Sequence, residues 1–285
     1  MIVEDSLGSK RAEALRILRE RRSVLVALSG GVDSGVLLAL AVEALGRDRV
    51  LAVTGASSSL AASDLDDARA VARAVGARHE VVETQELLRL GYKENAGDRC
   101  YHCRTELFDV LRALATERGI DAIAYGAIPA DASDDRPGMR AADEAGVLAP
   151  LTGAGFTKEE IRALAASAGI PVRDKPASAC LASRIPVGTE VTPERLRQVE
   201  RAESALRALG FGQLRVRHHG EIARVELDPA ELHRLADAAI RTAVVKSVRA
   251  AGFRFATIDL EGYRTGSSSE PAPLYRIQPA RDSGQ

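Results

Sequence analysis

Two stretches of this 285-residue chain carry residue types and spacings suited to chemistry. The first is Ser29-Gly30-Gly31-Val32-Asp33-Ser34, placed between the apolar run Ser23–Leu28 and a long apolar-periodic segment. Adjacent glycines let the backbone turn tightly, so successive N–H groups point into one concavity at a helix N-terminus, where unpaired donors and the helix dipole favour an anion. Ser29 and Ser34 add hydroxyls, and Asp33 could hold Mg2+ against phosphates. The GK[ST] ending of a Walker A loop is missing. A bare Gly-Gly would read as an ordinary turn; the full hexapeptide at a strand–helix junction points to phosphate. The second stretch is a set of thiols: Cys100 and Cys103 in Cys-Tyr-His-Cys, and Cys180 far downstream. They suit a redox dithiol, a zinc site completed by His102 or another residue, or an iron–sulfur cluster with one iron left open. Cys180 could instead be a buried small hydrophobe. Its neighbours Lys175, Ser178, Ser183 and Arg184 argue otherwise, since a cationic neighbourhood favours thiolate.

The elements that position these residues follow from periodicity. Ser23–Leu28, Val50–Thr54, Glu80–Glu83 and Ala122–Tyr125 read as strands. Asp33–Leu45, Ser63–Val75, Arg104–Arg118 and Thr157–Ala168 read as helices, the last opened by a capping box of Thr157 with Glu160. Strand–helix alternation of this kind implies a parallel sheet covered on both faces. After Cys180 the pattern changes. Thr192 caps a helix ending at Gly210, and strands Gln213–Arg217 and Ala223–Leu227 join through His218–Glu221. Helical segments Pro229–Arg241 and Ala243–Ala250 and a strand Phe255–Leu260 follow. The expected fold is α/β: a parallel-sheet domain over 1–180, a smaller α+β domain over 181–268, and a loosely ordered tail over 269–285.

Composition narrows the function classes. Hydrophobic residues make up 46% and charged residues 28%, enough to bury a core. No run approaches the ~18 apolar residues of a membrane span. No signal-peptide core precedes the N-terminal helical pattern, so a cytoplasmic chain without a membrane partner is expected. Formal charge is −1, with 23 basic and 27 acidic residues over 1–180 and 16 and 13 over 181–285. That mild split, with no Trp, argues against a nucleic-acid binder. Three cysteines have the wrong parity for a disulfide framework.

Ser29–Ser34 matches the SGGxDS signature at every position and so resembles the PP-loop ATP pyrophosphatases, whose fold is of the adenine nucleotide alpha hydrolase type. The resemblance implies binding of ATP with Mg2+, release of pyrophosphate and adenylation of a carbonyl or carboxyl group. It also implies that the turn after the second strand, with Thr54 and Ser57, lies near the adenine. A cysteine beside such a site could attack an acyl-adenylate and expel AMP.

Ala179–Pro186, together with Asp98–Cys103, Arg136-Pro137-Gly138 and Gly262–Ser267, is similar to the LarE family of ATP-dependent sulfur transferases, which build a nickel-pincer nucleotide cofactor. The similarity runs from about residue 10 to 268. It implies an anionic pyridinium-3,5-dicarboxylate mononucleotide as substrate, each carboxylate being adenylated and converted to a thiocarboxylate. In one branch of the family the cysteine of the Ala-Cys-Leu motif gives up its own sulfur. The added Cys-x-x-Cys matches the branch in which Cys100, Cys103 and Cys180 would hold a [4Fe-4S] cluster whose open iron carries sulfide. So anionic a substrate asks for forked arginines, with Arg184, Arg215, Arg217 and Arg264 as candidates. Arg215 and Arg217, two apart on a strand, share a face. Asp131, Asp134 and Asp135 could bind magnesium or form a plain acidic loop. The sulfide donor is left open, and a homo-oligomer is expected. Rival readings are a PP-loop tRNA thiolase, an ammonia-dependent amide synthetase and a non-catalytic nucleotide-binding regulator.

Overall fold

A computed structural model describes residues 2–132, 137–176 and 179–264. Asp134, Asp135, Arg136, Ser178, Thr265–Ser267 and the 269–285 tail lie outside the described residues. In chain order the elements are α1 (Ile2–Arg19), β1 (Val24–Ala27), α2 (Val32–Leu45), β2 (Val50–Ala56), α3 (Ala62–Val75), β3 (Arg78–Glu83), α4 (Leu90–Glu94) and α5 (Arg99–Arg118). Then come β4 (Ala122–Tyr125), α6 (Pro137–Glu144), α7 (Pro150–Gly153), α8 (Lys158–Ser167) and α9 (Pro193–Ala208). The last are β5 (Leu214–His219), β6 (Ile222–Leu227), α10 (Ala238–Ala250) and β7 (Phe255–Ile258).

The first sheet is all parallel, in the order β3-β2-β1-β4. β1 shows why both of its faces must be covered. Val24 and Val26 pack into a cluster with α1, α2 and α8, while Leu25 faces Phe108 and Leu111 of α5. A strand buried on both sides reads as an unbroken apolar run, as Val24–Ala27 does. Chain order reverses between β1 and β4, and in open parallel sheets ligands bind in the crevice at such a switch point. The glycine turn leaves β1 at that position.

A second sheet pairs β5 with β6 antiparallel and β6 with β7 parallel. Its core takes in Leu196, Val199 and Leu206 from α9. It also takes in Leu181, Ala182 and Ile185, and Tyr92 from α4. Among the described residues no helix is long and apolar enough to cross a membrane.

Four expectations about the elements need correction. The helix expected from Arg104 begins at Arg99, so Cys100 and Cys103 both fall at its start. The segment expected as helix over Pro229–Arg241 is a 3-10 helix to Ala236, and the helix expected from Ala243 already begins at Ala238. The cause is Asp237, extended at φ −69° and ψ 124°, whose carboxylate accepts N–H bonds from Ala239 and Ile240 and so starts a new helix. The last strand stops at Ile258 rather than Leu260, where a turn begins with Gly262 N–H bonded to Asp259 O.

Candidate active site

The glycine turn is shaped by close approaches that exclude side chains. Gly30 has φ +75°, and a Cβ there would run into the carbonyl oxygen of Asp64 on α3. Gly126, just past β4, stands so near that its Cβ would lie 2.7 Å from the Ser34 nitrogen. Gly31 precedes α2 and gives it no side-chain cap, so the first-turn N–H groups of α2 are left for another acceptor. The serine hydroxyls brace the turn: Ser34 Oγ donates to Gly31 O at 3.0 Å and accepts from Ser29 N–H at 3.2 Å.

The turn lacks a lysine of its own, and the fold supplies two. Lys158, the first residue of α8, places Nζ 2.7 and 2.6 Å from the oxygens of Asp33. Lys175 donates to Asp64 and Asp67 of α3 at 2.7 and 2.6 Å and to Gly30 O at 3.3 Å. Burial alone would pull the Lys175 ammonium down, but the two aspartates outweigh it and hold it above the ordinary lysine value. The capping box that starts α8 forms as expected: Thr157 Oγ1 accepts from Glu160 N–H and the Glu160 carboxylate accepts from Thr157 N–H. That cap fixes where Lys158 begins.

The turn after β2 joins this region to Cys180. Leu181 donates its N–H to Ser59 O at 3.0 Å, so the residue following the cysteine is tied to the loop that leaves β2. Ser59 Oγ shares a hydrogen bond with the hydroxyl of Tyr92, which is 0% exposed. Ser57 donates its hydroxyl to Glu86 and accepts from Ser59 N–H at 3.1 Å. Thr54 is buried, its hydroxyl donating to Leu28 O at 2.7 Å and contacting His79 Nε2 at 2.8 Å. It braces the end of β1 from within the sheet.

Cys103 and Cys180 pack against the same apolar cluster as Tyr92, and Cys100 is exposed. Burial, and then the charges of Cys180 and Glu86, push the Cys103 thiol well above its ordinary value. Burial and the Cys180 charge do the same to the Tyr92 phenol. Cys103 thus lies within reach of the fields of both Cys180 and Cys100. Among the described residues, however, no three His, Cys, Asp or Glu side chains stand close enough to hold a metal ion. The donor set has the chemistry of an iron–sulfur ligand set, and an iron centre would reverse the penalty on the thiolates. The spacing is not that of a closed cage.

The cations expected to surround Cys180 are drawn elsewhere. Lys175 turns to Asp64 and Asp67, and Arg184 pairs with the fully buried Glu203 at 2.8 and 3.1 Å. Arg184 Nη1 donates to the carbonyls of Ala179 and Cys180 at 2.6 and 3.0 Å, so it clamps the cysteine's main chain. Arg217 forks onto Glu226 at 3.0 Å for both bonds and donates to Ser183 O at 3.0 Å. Arg215 stacks over the Tyr263 ring at 5.0 Å, and burial, then Arg184, lower its pKa below the ordinary arginine value. Arg264 pairs with Glu261 at 2.8 Å near the end of the described chain.

A cavity of about 370 Å³ opens between these groups. Lys175, Ala179, Arg184, Arg207 and Arg215 line it together with Asp64. The fold therefore gathers Arg184 and Arg215 on one cavity. Arg217 and Arg264 are not among its lining residues.

Sequence reasoning missed Lys158, Tyr92, Glu86 and Arg207. Lys158 had a readable signal: a lysine in a helix's first turn opposes the helix dipole, so its position asks for another partner. Tyr92 and Glu86 carry no signal short of the fold, because their partners are 33 and 29 residues away.

Known proteins extend this picture. The family model for NAD synthase matches residues 16–108, a span that includes the glycine turn. An uncharacterised protein of Synechocystis is 40% identical over 260 residues, 91% of this chain and 97% of its own. The pyridinium-3,5-bisthiocarboxylic acid mononucleotide synthase of Lactiplantibacillus plantarum is 36% identical over 266 residues, 93% of this chain and 95% of its own. The tRNA-specific 2-thiouridylase of Azorhizobium caulinodans is 34% identical over 191 residues, 54% of this chain and 49% of its own.

Proposed function

Because the chain belongs to the LarE family of PP-loop sulfur transferases, we propose that it makes thiocarboxylates from pyridinium-3,5-biscarboxylic acid mononucleotide for a nickel-pincer cofactor, using ATP and sulfur handled at Cys180. It is an enzyme of the ATP pyrophosphatase type. A substrate carboxylate oxygen attacks the α-phosphorus of ATP, the bond to the bridging oxygen breaks, and pyrophosphate leaves. Sulfur then attacks the acyl-adenylate carbon and AMP departs, leaving C–S in place of C–O. Two carboxylates require two such rounds.

Each residue has a task in this reading. The first-turn amides of α2 and the backbone of Gly30 and Gly31 cradle the phosphates with Ser29 and Ser34, and Asp33 holds Mg2+. Lys158 meets the charge that develops on the departing pyrophosphate. Ser57 and Thr54 support the adenine side. Arg184, Arg215 and Arg207 face the anionic substrate in the cavity, while Arg217 holds the main chain at Ser183 and Arg264 stands by as a further cation. The observation that carries the reading is the Leu181–Ser59 hydrogen bond, since it keeps Cys180 beside the loop that serves the nucleotide.

For the sulfur source, Cys100, Cys103 and Cys180 are the residues that would hold a [4Fe-4S] cluster. Such a cluster supplies an open iron position from which sulfide can be delivered repeatedly. The second reading is sacrificial, with Cys180 losing its own sulfur and ending as dehydroalanine. The Ala179-Cys180-Leu181 motif, the place of the sulfur-donating cysteine in that branch of the family, supports it.

The deciding experiment measures pyrophosphate release and thiocarboxylate formation with the dicarboxylate substrate, alongside iron and acid-labile sulfide. Pyrophosphate release that needs the substrate, and product formation lost in Cys180→Ala, are the expected results. Full amide formation by Cys180→Ala from ATP, ammonia and the dicarboxylate would instead identify an amide synthetase. Iron with many turnovers supports the cluster; one turnover with the protein lighter by one molecule of hydrogen sulfide supports sacrifice.

A further inference from the structure

Asn95 joins the chain segment before Cys100 to the segment after Cys180. It is 1% exposed and is the sole non-glycine residue with positive φ among the described residues, at 56°. Asparagine tolerates that left-handed conformation better than most residues, and here it ends α4. The turn frees the carboxamide to reach across. Its Nδ2 donates to Pro186 O at 2.8 Å and Thr189 O at 3.0 Å, with Ile185 O at 3.4 Å as a weaker third acceptor. Its Oδ1 accepts from Arg99 Nη1 at 2.6 Å. The backbone repeats the join: Gly188 N–H donates to Asn95 O and Val191 N–H to Lys93 O, both at 2.9 Å.

These bonds lie between the cysteines in a telling way. Arg99 is the first residue of the helix whose start carries Cys100 and Cys103. Ile185 ends the 3-10 turn Leu181–Arg184 that directly follows Cys180. A carboxamide has two N–H donors and one carbonyl acceptor, and Asn95 uses both kinds, one toward each cysteine segment. No carboxylate, hydroxyl or aliphatic side chain of that size offers the same set.

We propose that Asn95 is a positioning residue that holds the Cys-x-x-Cys turn against the Cys180 loop, so that the thiols act as one sulfur-handling group. The inference rests on the reading of those thiols as the sulfur-handling group, but its test needs neither ATP nor substrate.

The probe is dibromobimane, a short reagent that fluoresces when it bridges two neighbouring thiols, applied to the full chain carrying Cys100→Ser. Bridging of Cys103 to Cys180, mapped by peptide mass, is expected. Asn95→Gly keeps the left-handed backbone and removes only the carboxamide. Its bridging rate should fall at least about tenfold relative to single alkylation by iodoacetamide, since one or two of the lost buried hydrogen bonds already account for that much. Asn95→Asp, similar in shape but without N–H donors, should fall likewise. A merely structural role would lower the melting temperature without changing the ratio of bridging to single alkylation. No bridging before the Asn95 change, or an unchanged ratio in whichever variant folds, overturns the proposal. If bridging behaves as expected while Cys180→Ala still forms thiocarboxylate, the sulfur reading fails and the clasp stands.

Discussion

Lys158 Nζ sits 2.7 and 2.6 Å from the two carboxylate oxygens of Asp33, so the cation missing from the glycine turn arrives from a helix 125 residues further along. The pairing neutralises Asp33 while no phosphate is present. In the proposed reaction, Mg2+ arriving with ATP would compete for the carboxylate and free the ammonium for the phosphates.

Lys158→Met should therefore lower the rate of pyrophosphate release about 10²–10³-fold, the loss seen when one preorganised charge-stabilising donor is removed. Lys158→Arg should recover part of it. Steady-state pyrophosphate assays check this, and a change confined to KM would show that the lysine does not act on the transition state.

Gly126→Ala should push the Ser34 amide out of place, because the new Cβ would lie 2.7 Å from it. Overpacking of this kind costs about 1–3 kcal/mol, and calorimetric ATP affinity should fall with it. Gly8→Ala is the control, as nothing lies within 4 Å of a Cβ there.

Tyr92→Phe leaves Ser59 Oγ without its buried partner, a loss of about 1–3 kcal/mol in stability. Pyrophosphate release should stay close to that of the unaltered enzyme while thiocarboxylate formation drops, raising the AMP-to-product ratio. Equal losses in both steps would mean that Tyr92 serves only the fold.

Glu203 sets an acid limit. Burial would raise its carboxyl, but hydrogen bonds and charge from Arg184, with the Val216 N–H, hold it below the ordinary value of 4.5. A carboxyl depressed in the folded state contributes stability that is present above the unfolded pKa and lost as pH falls through the folded one. The melting temperature should thus decline as pH drops below 4.5. Glu203→Gln should flatten that decline while costing about 3–5 kcal/mol near neutral pH, since it leaves Arg184 buried with an uncharged partner.

Much of the first sheet was legible in the residues alone. Ser23–Leu28 and Val50–Thr54 announce buried strands because an apolar run with β-branched side chains has no other good home. Thr157 and Glu160 announce their helix because a capping box is local chemistry, complete within four residues. The boundaries slipped where local signals competed. The helix that begins at Arg99 is expected only from Arg104 because Arg99–Cys103 offers little apolar period of its own, and Asp237 restarts a helix where an unbroken one is expected.

By itself, the sequence determined the elements, the glycine turn and the residues able to carry sulfur and charge, since each follows from side-chain size, period or a hydrogen bond spanning a few residues. Only the tertiary structure decided the partnerships. Whether Lys158 meets Asp33, Leu181 meets Ser59, or Arg184 turns its fork to Glu203 rather than to the Cys180 thiol depends on how helices and loops far apart in the chain pack on the two sheets. The physical reason is that a buried charge or amide takes the partner that packing brings within about 3 Å, and no local pattern encodes that distance.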